Sequence, residues 1–327
     1  MNSVPYSRYI FYPVTWYSFL IFIGAVIAVF LAVREEKRSS LPHDTVIDLS
    51  LRILPLGIIG ARLYYVAFSW DRFRNNLLSI LKIWEGGLAI YGGVIAGLIV
   101  LFFFARRRHL PVLKLCDLVA PGLALAQSIG RWGNWFNMEA YGLKILHPSL
   151  CFFPFAVQIP SDGYSWHLAT FFYESLWDFA IFLFLFLFLR KHYKKTGDVL
   201  FFYLFLYGCG RLIIEELRLD SLFASSGIRI SQLLSVLLCI TVLIRYVYRT
   251  GIKLIASSVF RLILLSAAGI FSIFILLFVF SSPFMISAST LQTAVMLVLY
   301  SLLMIICLFS VYRVKIPPEV HNADHQA

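Results

Sequence analysis

The chain has 327 residues, 60% of them hydrophobic and 14% charged, and a mean hydropathy of +0.83. Ordinary soluble domains carry about 25% charged and about 45–50% apolar residues, so a water-soluble globule, a disordered chain and a disulfide scaffold are excluded. The 28 Lys and Arg against 17 Asp and Glu leave a formal charge of +11. In a membrane protein such an excess reflects basic cytoplasmic connections, and no soluble segment is long enough to make it a nucleic-acid surface.

A helix that crosses a bilayer needs about 20 apolar residues. Runs of that order recur at 16–33, 46–68, 88–105, 113–130, 167–189, 199–213, 230–246, 260–280 and 291–311. The fold class is therefore all-α, a polytopic membrane protein of about nine transmembrane helices. The first run is flanked by a single Arg8 and no A-x-A site follows it, so it is expected to stay as a helix, not to be cleaved as a signal peptide.

Alternate connections carry the basic residues: Arg34, Lys37 and Arg38; Arg106, Arg107, Arg108 and Lys114; Arg190, Lys191, Lys194 and Lys195; Arg245, Arg249, Lys253 and Arg261; Arg313 and Lys315. The other connections are poorer, and 281–290 has no basic residue. This predicts the N-terminus outside and the C-terminus in the cytoplasm. The longest extramembrane stretch, 137–166, then lies outside, and its Gly142, Pro148, Pro154, Pro160 and Gly163 suit an ordered cap. Residues 316–327 read as a polar cytoplasmic tail. Cys116, Cys151, Cys209, Cys239 and Cys307 are scattered, without C-x-x-C or zinc-like spacing, so they are expected in the core, with no metal and no cofactor.

Ionisable groups at membrane depth are expensive, which makes their positions informative. They collect in four places, all at the predicted outer ends of helices: Gly60-Ala61-Arg62-Leu63-Tyr64-Tyr65; Trp84 to Gly93, with Tyr91-Gly92-Gly93; Gly130 to Gly142; and Tyr207-Gly208-Cys209-Gly210-Arg211 with Glu215. Trp16-Tyr17 opens the first helix at the same face. Arginines, carboxylates, amides and glycines together make a pocket for an anionic headgroup: guanidinium forks match phosphate oxygens, and glycine lets backbone N–H groups approach. Each piece also has a plainer reading. Arg62 can snorkel to the interface, the paired glycines can serve helix packing, and Arg211 with Glu215 can be a local ion pair. Segment 130–142 resists such a reading, because packing does not call for so many polar groups beside a membrane helix. A transporter would place its polar groups near mid-membrane in two related halves, and neither pattern is visible.

The segment G-R-W-G-N-W-F-N-M-E-A-Y-G at 130–142 closely resembles the signature of bacterial prolipoprotein diacylglyceryl transferases, with Trp135 where Phe is usual. Trp16-Tyr17, the run at 60–66, Trp84 to Gly87, Tyr91-Gly92-Gly93, Tyr173-Glu174 and Tyr207 to Arg211 with Glu215 follow in the family's order, over about residues 14–250. The resemblance implies an enzyme of the bacterial inner membrane that moves the diacylglyceryl group of phosphatidylglycerol onto the lipobox cysteine of a prolipoprotein, beside its signal peptide, and releases glycerol phosphate. It is the first step of lipoprotein maturation. Membrane lipids, phosphatidylglycerol and the prolipoprotein are the expected partners, and nucleic acid is not. Two departures stand out: Tyr91 replaces the histidine common before Gly-Gly, and Leu168 to Phe172 replaces the usual His-Pro-Thr-Gln approach to Tyr173-Glu174. A histidine base is therefore not expected.

Breaking a glycerol carbon–oxygen bond leaves a charged phosphate ester, and Arg131 and Arg211 are the candidates to stabilise it. The attacking thiol must lose its proton; Glu139, Glu215 and Tyr17 are candidates to receive it, and the sequence does not choose among them. Asn134, Asn137, Gly142, Tyr91, Gly92, Gly93, Arg62 and Tyr207 are the expected substrate-binding residues. Residues 1–253 form the expected transferase domain. Residues 254–315 form a two-helix extension beyond the family's usual seven, expected to be dispensable for chemistry.

Overall fold

The computed structural model describes residues 7–12, 14–39, 41–219, 229–251, 255, 258–281 and 290–314. The expected boundary at 253–254, the tail at 316–327 and residues 282–289 of the connection without basic residues lie outside these. Among the described residues each predicted apolar run contains a helix, although residues 88–89 are loop and 167–169 precede the fifth helix, 167–168 as strand: α1 Trp16–Glu36, α2 Thr45–Phe68, α3 Ile90–Arg107, α4 Val112–Asn137, α5 Thr170–His192, α6 Asp198–Leu217, α7 Ile230–Thr250, α8 Val259–Ser281 and α9 Thr290–Tyr312. Of these, α1, α3, α4, α5, α7 and, from Thr293, α9 are long and apolar enough to cross a membrane. The chain is a multi-pass membrane protein.

The boundaries differ from the sequence reading where polar residues are helical. The fourth run was expected to end at 130, yet α4 continues to Asn137, so half of the polar segment is helix. Likewise α6 runs on to Leu217 through Arg211 and Glu215. Hydropathy falls at these points, but backbone bonding continues where apolarity stops; in α6 the arginine, glutamates and leucines of 211–217 also favour a helix. Thr15 caps α1, its hydroxyl accepting the Ser18 N–H at 3.1 Å. Along α5, a π turn at Phe184–Leu189 precedes the basic end Arg190–His192.

The chain forms two compact units. The first comprises Ser7–Gly133 and Phe182–Leu200; the second comprises Asn134–Ile181 and the described residues from Phe201 on. In the first unit, small residues set how closely helices approach. A Cβ added to Gly24 of α1 would lie 3.1 Å from the Ala126 backbone of α4, and one on Gly122 would lie 2.9 Å from Ala28 O. These pairs put α1 and α4 in an antiparallel register of the small-x-x-x-small kind. The α2–α3 crossing is tighter, with a Cβ on Gly92 falling 2.4 Å from Gly60 O.

In the second unit, α4 gives way to a cap containing a two-stranded antiparallel ribbon, β1 Ala156–Ile159 and β2 Ser165–Leu168. Residues 142–145 run beside β2: Gly142 N–H donates to Leu168 O at 2.9 Å and Ile145 N–H to Trp166 O at 2.8 Å. The second unit also holds α7, α8 and α9.

The α2–α3 crossing gives a direct test. Gly92→Leu forces backbones apart where no side chain fits, and is expected to lower stability by about 1–3 kcal/mol. The thermal midpoint in detergent should fall, while Gly97→Leu, whose Cβ has only Ile53 at 4.0 Å, should leave it nearly unchanged.

Candidate active site

In the first unit, the candidates sit on or beside α1 to α4. Tyr17 lies across Gly133: a Cβ on Gly133 would be 2.5 Å from Tyr17 Cδ2 and 2.9 Å from Tyr17 Cα. The second glycine of the polar segment is thus the socket of the tyrosine. Arg131, two residues earlier on α4, is half-buried. On α3, Tyr91 is exposed with its ring tilted 6.5 Å from that of Tyr64, Gly92 is buried in the crossing with α2, and Gly93 is half-buried beside Ala61.

Arg62 is buried, and its guanidinium donates to five backbone carbonyls: Ile80 O at 2.8 Å, Ser79 O at 2.7 Å, Gly86 O at 2.6 Å, Gly87 O at 3.0 Å and Lys82 O at 3.3 Å. An arginine has five N–H donors. The geometry thus gives Arg62 to the 79–87 loop, where sequence reasoning expected it to bind substrate. Gly87, at φ +74°, is the price of that wrap, since a Cβ there would strike Arg62 Nη1 at 2.6 Å.

In the second unit, α4 ends on a Schellman turn. Met138 N–H donates to Trp135 O at 3.1 Å and Glu139 N–H to Asn134 O at 3.0 Å, with Met138 in the left-handed region at φ 54°. This lifts Glu139 off the helix end, leaving its carboxylate exposed and accepting from Asn137 Nδ2 at 3.1 Å. Asn134 is buried beneath. Ala140, also left-handed, turns the chain toward Gly142, and Thr170 Oγ1 donates to Ala140 O at 2.6 Å. Gly142 admits no side chain, because a Cβ would lie 2.5 Å from Leu217 O. Asn134, Asn137, Glu139 and Gly142 are thereby held in one stretch of chain.

The other cluster of this unit lies on α6. Arg211 Nη1 donates to Glu174 Oε1 at 3.1 Å, and Arg211 Nη2 lies 2.6 Å from Glu215 Oε2. Arg218 Nη1 stands 3.7 Å from the other oxygen of Glu174. Both carboxylates are almost wholly buried, at 3% and 1% side-chain exposure, so they must be matched by positive charge. The ion pair foreseen from i, i+4 spacing exists, but it is one arm of a larger network. Sequence reasoning matched Glu174 to the family without giving it a role, and passed over Arg218; the signal for Glu174 was a carboxylate one turn into an apolar run. Tyr207, one turn before Arg211, is half-buried with its ring stacked on Tyr203.

His167 was also passed over. It is 4% exposed, its Nδ1 is 2.9 Å from Gly142 O, and its Nε2 is 2.9 Å from Asp162 Oδ2. It ties the end of the polar segment to the cap.

A family model described as prolipoprotein diacylglyceryl transferase matches residues 6–248. The chain belongs to the prolipoprotein diacylglyceryl transferase family. Among similar proteins named phosphatidylglycerol--prolipoprotein diacylglyceryl transferase, that of Streptococcus suis strain 05ZYH33 is 46% identical over 239 residues, covering 72% of this chain and 88% of the relative. That of Streptococcus equi subsp. equi strain 4047 is 45% identical over 232 residues, covering 70% and 88%. That of Streptococcus agalactiae serotype Ia is 42% identical over 241 residues, covering 73% and 92%. The prolipoprotein diacylglyceryl transferase match contains every residue of both clusters and ends within α7, so α8 and α9 follow it.

In this transferase the cap carries its own acid sensitivity. The Asp162 carboxyl is lowered from 3.8 to about 2, first by the Ser165 hydroxyl, then by His167 and Lys144. A carboxylate lowered in the folded state stabilises it above the ordinary value, and the benefit is lost as pH falls through the folded value. Between about pH 4 and 2 the 140–168 cap should become more susceptible to pepsin, measured as cleavage rate. Asp162→Asn should cleave faster at pH 4 and show a smaller further rise on acidification.

Proposed function

We propose that this chain transfers the diacylglyceryl group of phosphatidylglycerol to the lipobox cysteine of prolipoproteins, beside the signal peptide, and releases glycerol phosphate. The observation that carries the reading is the fixed Arg211, held by Glu174 and Glu215 on a helix of a chain that belongs to this family. The names of the relatives support the two substrates. The thiol sulfur attacks the glycerol carbon of the lipid, the carbon–oxygen bond to phosphate breaks, and the thiol proton goes to a base.

Arg131 and Arg211 are each assigned to the departing phosphate ester; for Arg211, held by its two carboxylates, the guanidinium needs no reorganisation as charge develops. Glu215 is committed to Arg211 at 2.6 Å, whereas Glu139 is exposed beside the Asn137 amide, which favours Glu139 over Glu215 as proton acceptor, directly or through water. Tyr17, set in its glycine socket, is the alternative acceptor. Asn134, Asn137, Gly142, Tyr91, Gly93 and Tyr207 contact the headgroup or the peptide; Arg62 and Gly92 act one step back, by shaping the loop and the helix crossing. All of these lie within residues 1–253. The basic connections favour an orientation in the cytoplasmic membrane with the N-terminus outside, the C-terminus inside and the chemistry at the outer face, where an exported precursor presents its cysteine.

Purified protein with labelled phosphatidylglycerol and a lipobox peptide should label the cysteine; no label, beside an active control enzyme, sinks the reading. In the same assay Arg131→Ala and Arg211→Ala should each lower turnover by about a hundredfold or more, and lysine should restore little, since a point charge does not reproduce a fork. Near-normal turnover in either alanine variant would remove that arginine from the reaction.

Orientation is tested separately. With the native cysteines replaced, Ser161→Cys should react in intact cells with a membrane-impermeant thiol reagent and Ser39→Cys should not. The reverse pattern would invert the topology.

A further inference from the structure

α8 and α9 lie beyond the family match, yet α9 is built into the second unit. One stripe of it, including Leu297, Tyr300, Met304, Leu308 and Val311, is buried at helical spacing. Phe309 and Tyr312 meet the Phe202 ring of α6 at 5.4 and 5.0 Å, and Tyr312 meets Tyr246 of α7 at 5.8 Å. Further along, Ser301 of α9, 3% exposed, donates its hydroxyl to Cys209 O of α6 at 3.3 Å.

A buried serine or threonine on a membrane helix commonly returns its hydroxyl to a carbonyl of its own helix. Ser235 and Ser272 do so, to Ser231 O and Ala268 O at 2.7 and 2.6 Å, Ser272 also lying 3.0 Å from the Tyr300 hydroxyl of α9. Ser301 instead reaches across to another helix. Its target lies at the narrowest point of α6, Gly208-Cys209-Gly210, just before Arg211. Here a Cβ on Gly208 would lie 3.0 Å from Cys239 Sγ of α7, and one on Gly210 would lie 2.1 Å from Trp177 Nε1 of α5. Trp177 Nε1 itself donates to Leu206 O at 2.9 Å. α6 is therefore gripped by α5, α7 and α9, and only the third grip comes from outside the family match.

We propose that α9 is a working part of this transferase and that Ser301 is a positioning residue, fixing the register of α6 and through it the Arg211 guanidinium. The kinetic side of this inference rests on the reaction proposed above; the backbone side does not. A hydroxyl that pins a carbonyl two residues before Arg211 restrains where that guanidinium points, while leaving substrate contacts to other groups.

The test uses the full chain in lipid, with labelled phosphatidylglycerol and a lipobox peptide. Ser301→Ala is expected to lower kcat about three- to tenfold, the size of one net hydrogen bond, with KM for both substrates unchanged. Ser301→Thr, which keeps the hydroxyl, should recover most of the loss. Leu308→Ala, which empties the same buried stripe away from Cys209, should lower the thermal midpoint and leave kcat within twofold. Amide hydrogen exchange at 209–215 should quicken in Ser301→Ala and not in Leu308→Ala. The proposal is overturned if Ser301→Ala keeps full kcat, if threonine fails to rescue, if the loss lies in KM, or if Leu308→Ala loses kcat equally. Should the wild type transfer no label, the reaction assignment fails, and the exchange comparison alone decides the role of Ser301.

Discussion

A guanidinium in apolar surroundings is stable only if carboxylates neutralise it, and those carboxylates, once buried, tolerate no loss of the guanidinium. Arg211 with Glu174 and Glu215 is such a mutual dependence, and much of the second unit is arranged around it. It requires α5 and α6 side by side, because Glu174 comes from one and Glu215 from the other. It also calls for close packing just before Arg211, which the two glycines at 208 and 210 supply. Arg211 is thus restrained from both ends, by carboxylates at the tip and by packed backbone at the root.

The first unit meets a different constraint. Apolar side chains gain little by leaving lipid for one another, so its helices associate through close backbone approach. Gly24, Ala28, Gly122 and Ala126 allow this between α1 and α4, and Gly60 with Gly92 between α2 and α3. The arginine of this unit that looks most like a ligand-binding group, Arg62, instead replaces water for five loop carbonyls. A loop of two short 3-10 turns can persist beside a membrane because one side chain satisfies carbonyls that its own turns leave over.

The helices were legible in the sequence because apolar runs of membrane length have few other meanings, and the polar segment at 130–142 was legible because its cost demands a reason. What the sequence hid was where helices end and which arginines are already occupied. Hydropathy marks the end of apolarity, not of backbone bonding, so α4 and α6 outran their predicted limits. Arg62 and Arg211 look alike as isolated arginines in membrane helices; only the structure distinguishes the one facing carbonyls from the one facing carboxylates. Glu174 and His167 escaped because their partners are distant in sequence: Glu174 meets Arg211 and Arg218, and His167 meets Gly142 O.

The seat of Tyr17 on Gly133 carries a consequence for how this protein can change. Tyr17 with Gly133, Gly24 with Ala126 and Ala28 with Gly122 share one antiparallel register, so these contacts stand or fall together. With 3.6 residues per turn, inserting or deleting one residue between Tyr17 and Ala28 would swing every later position about 100° around the helix. The small residues would leave the crossing while the tyrosine stayed, or the reverse. Substitutions can be absorbed along this pair of helices one at a time, but their lengths are frozen.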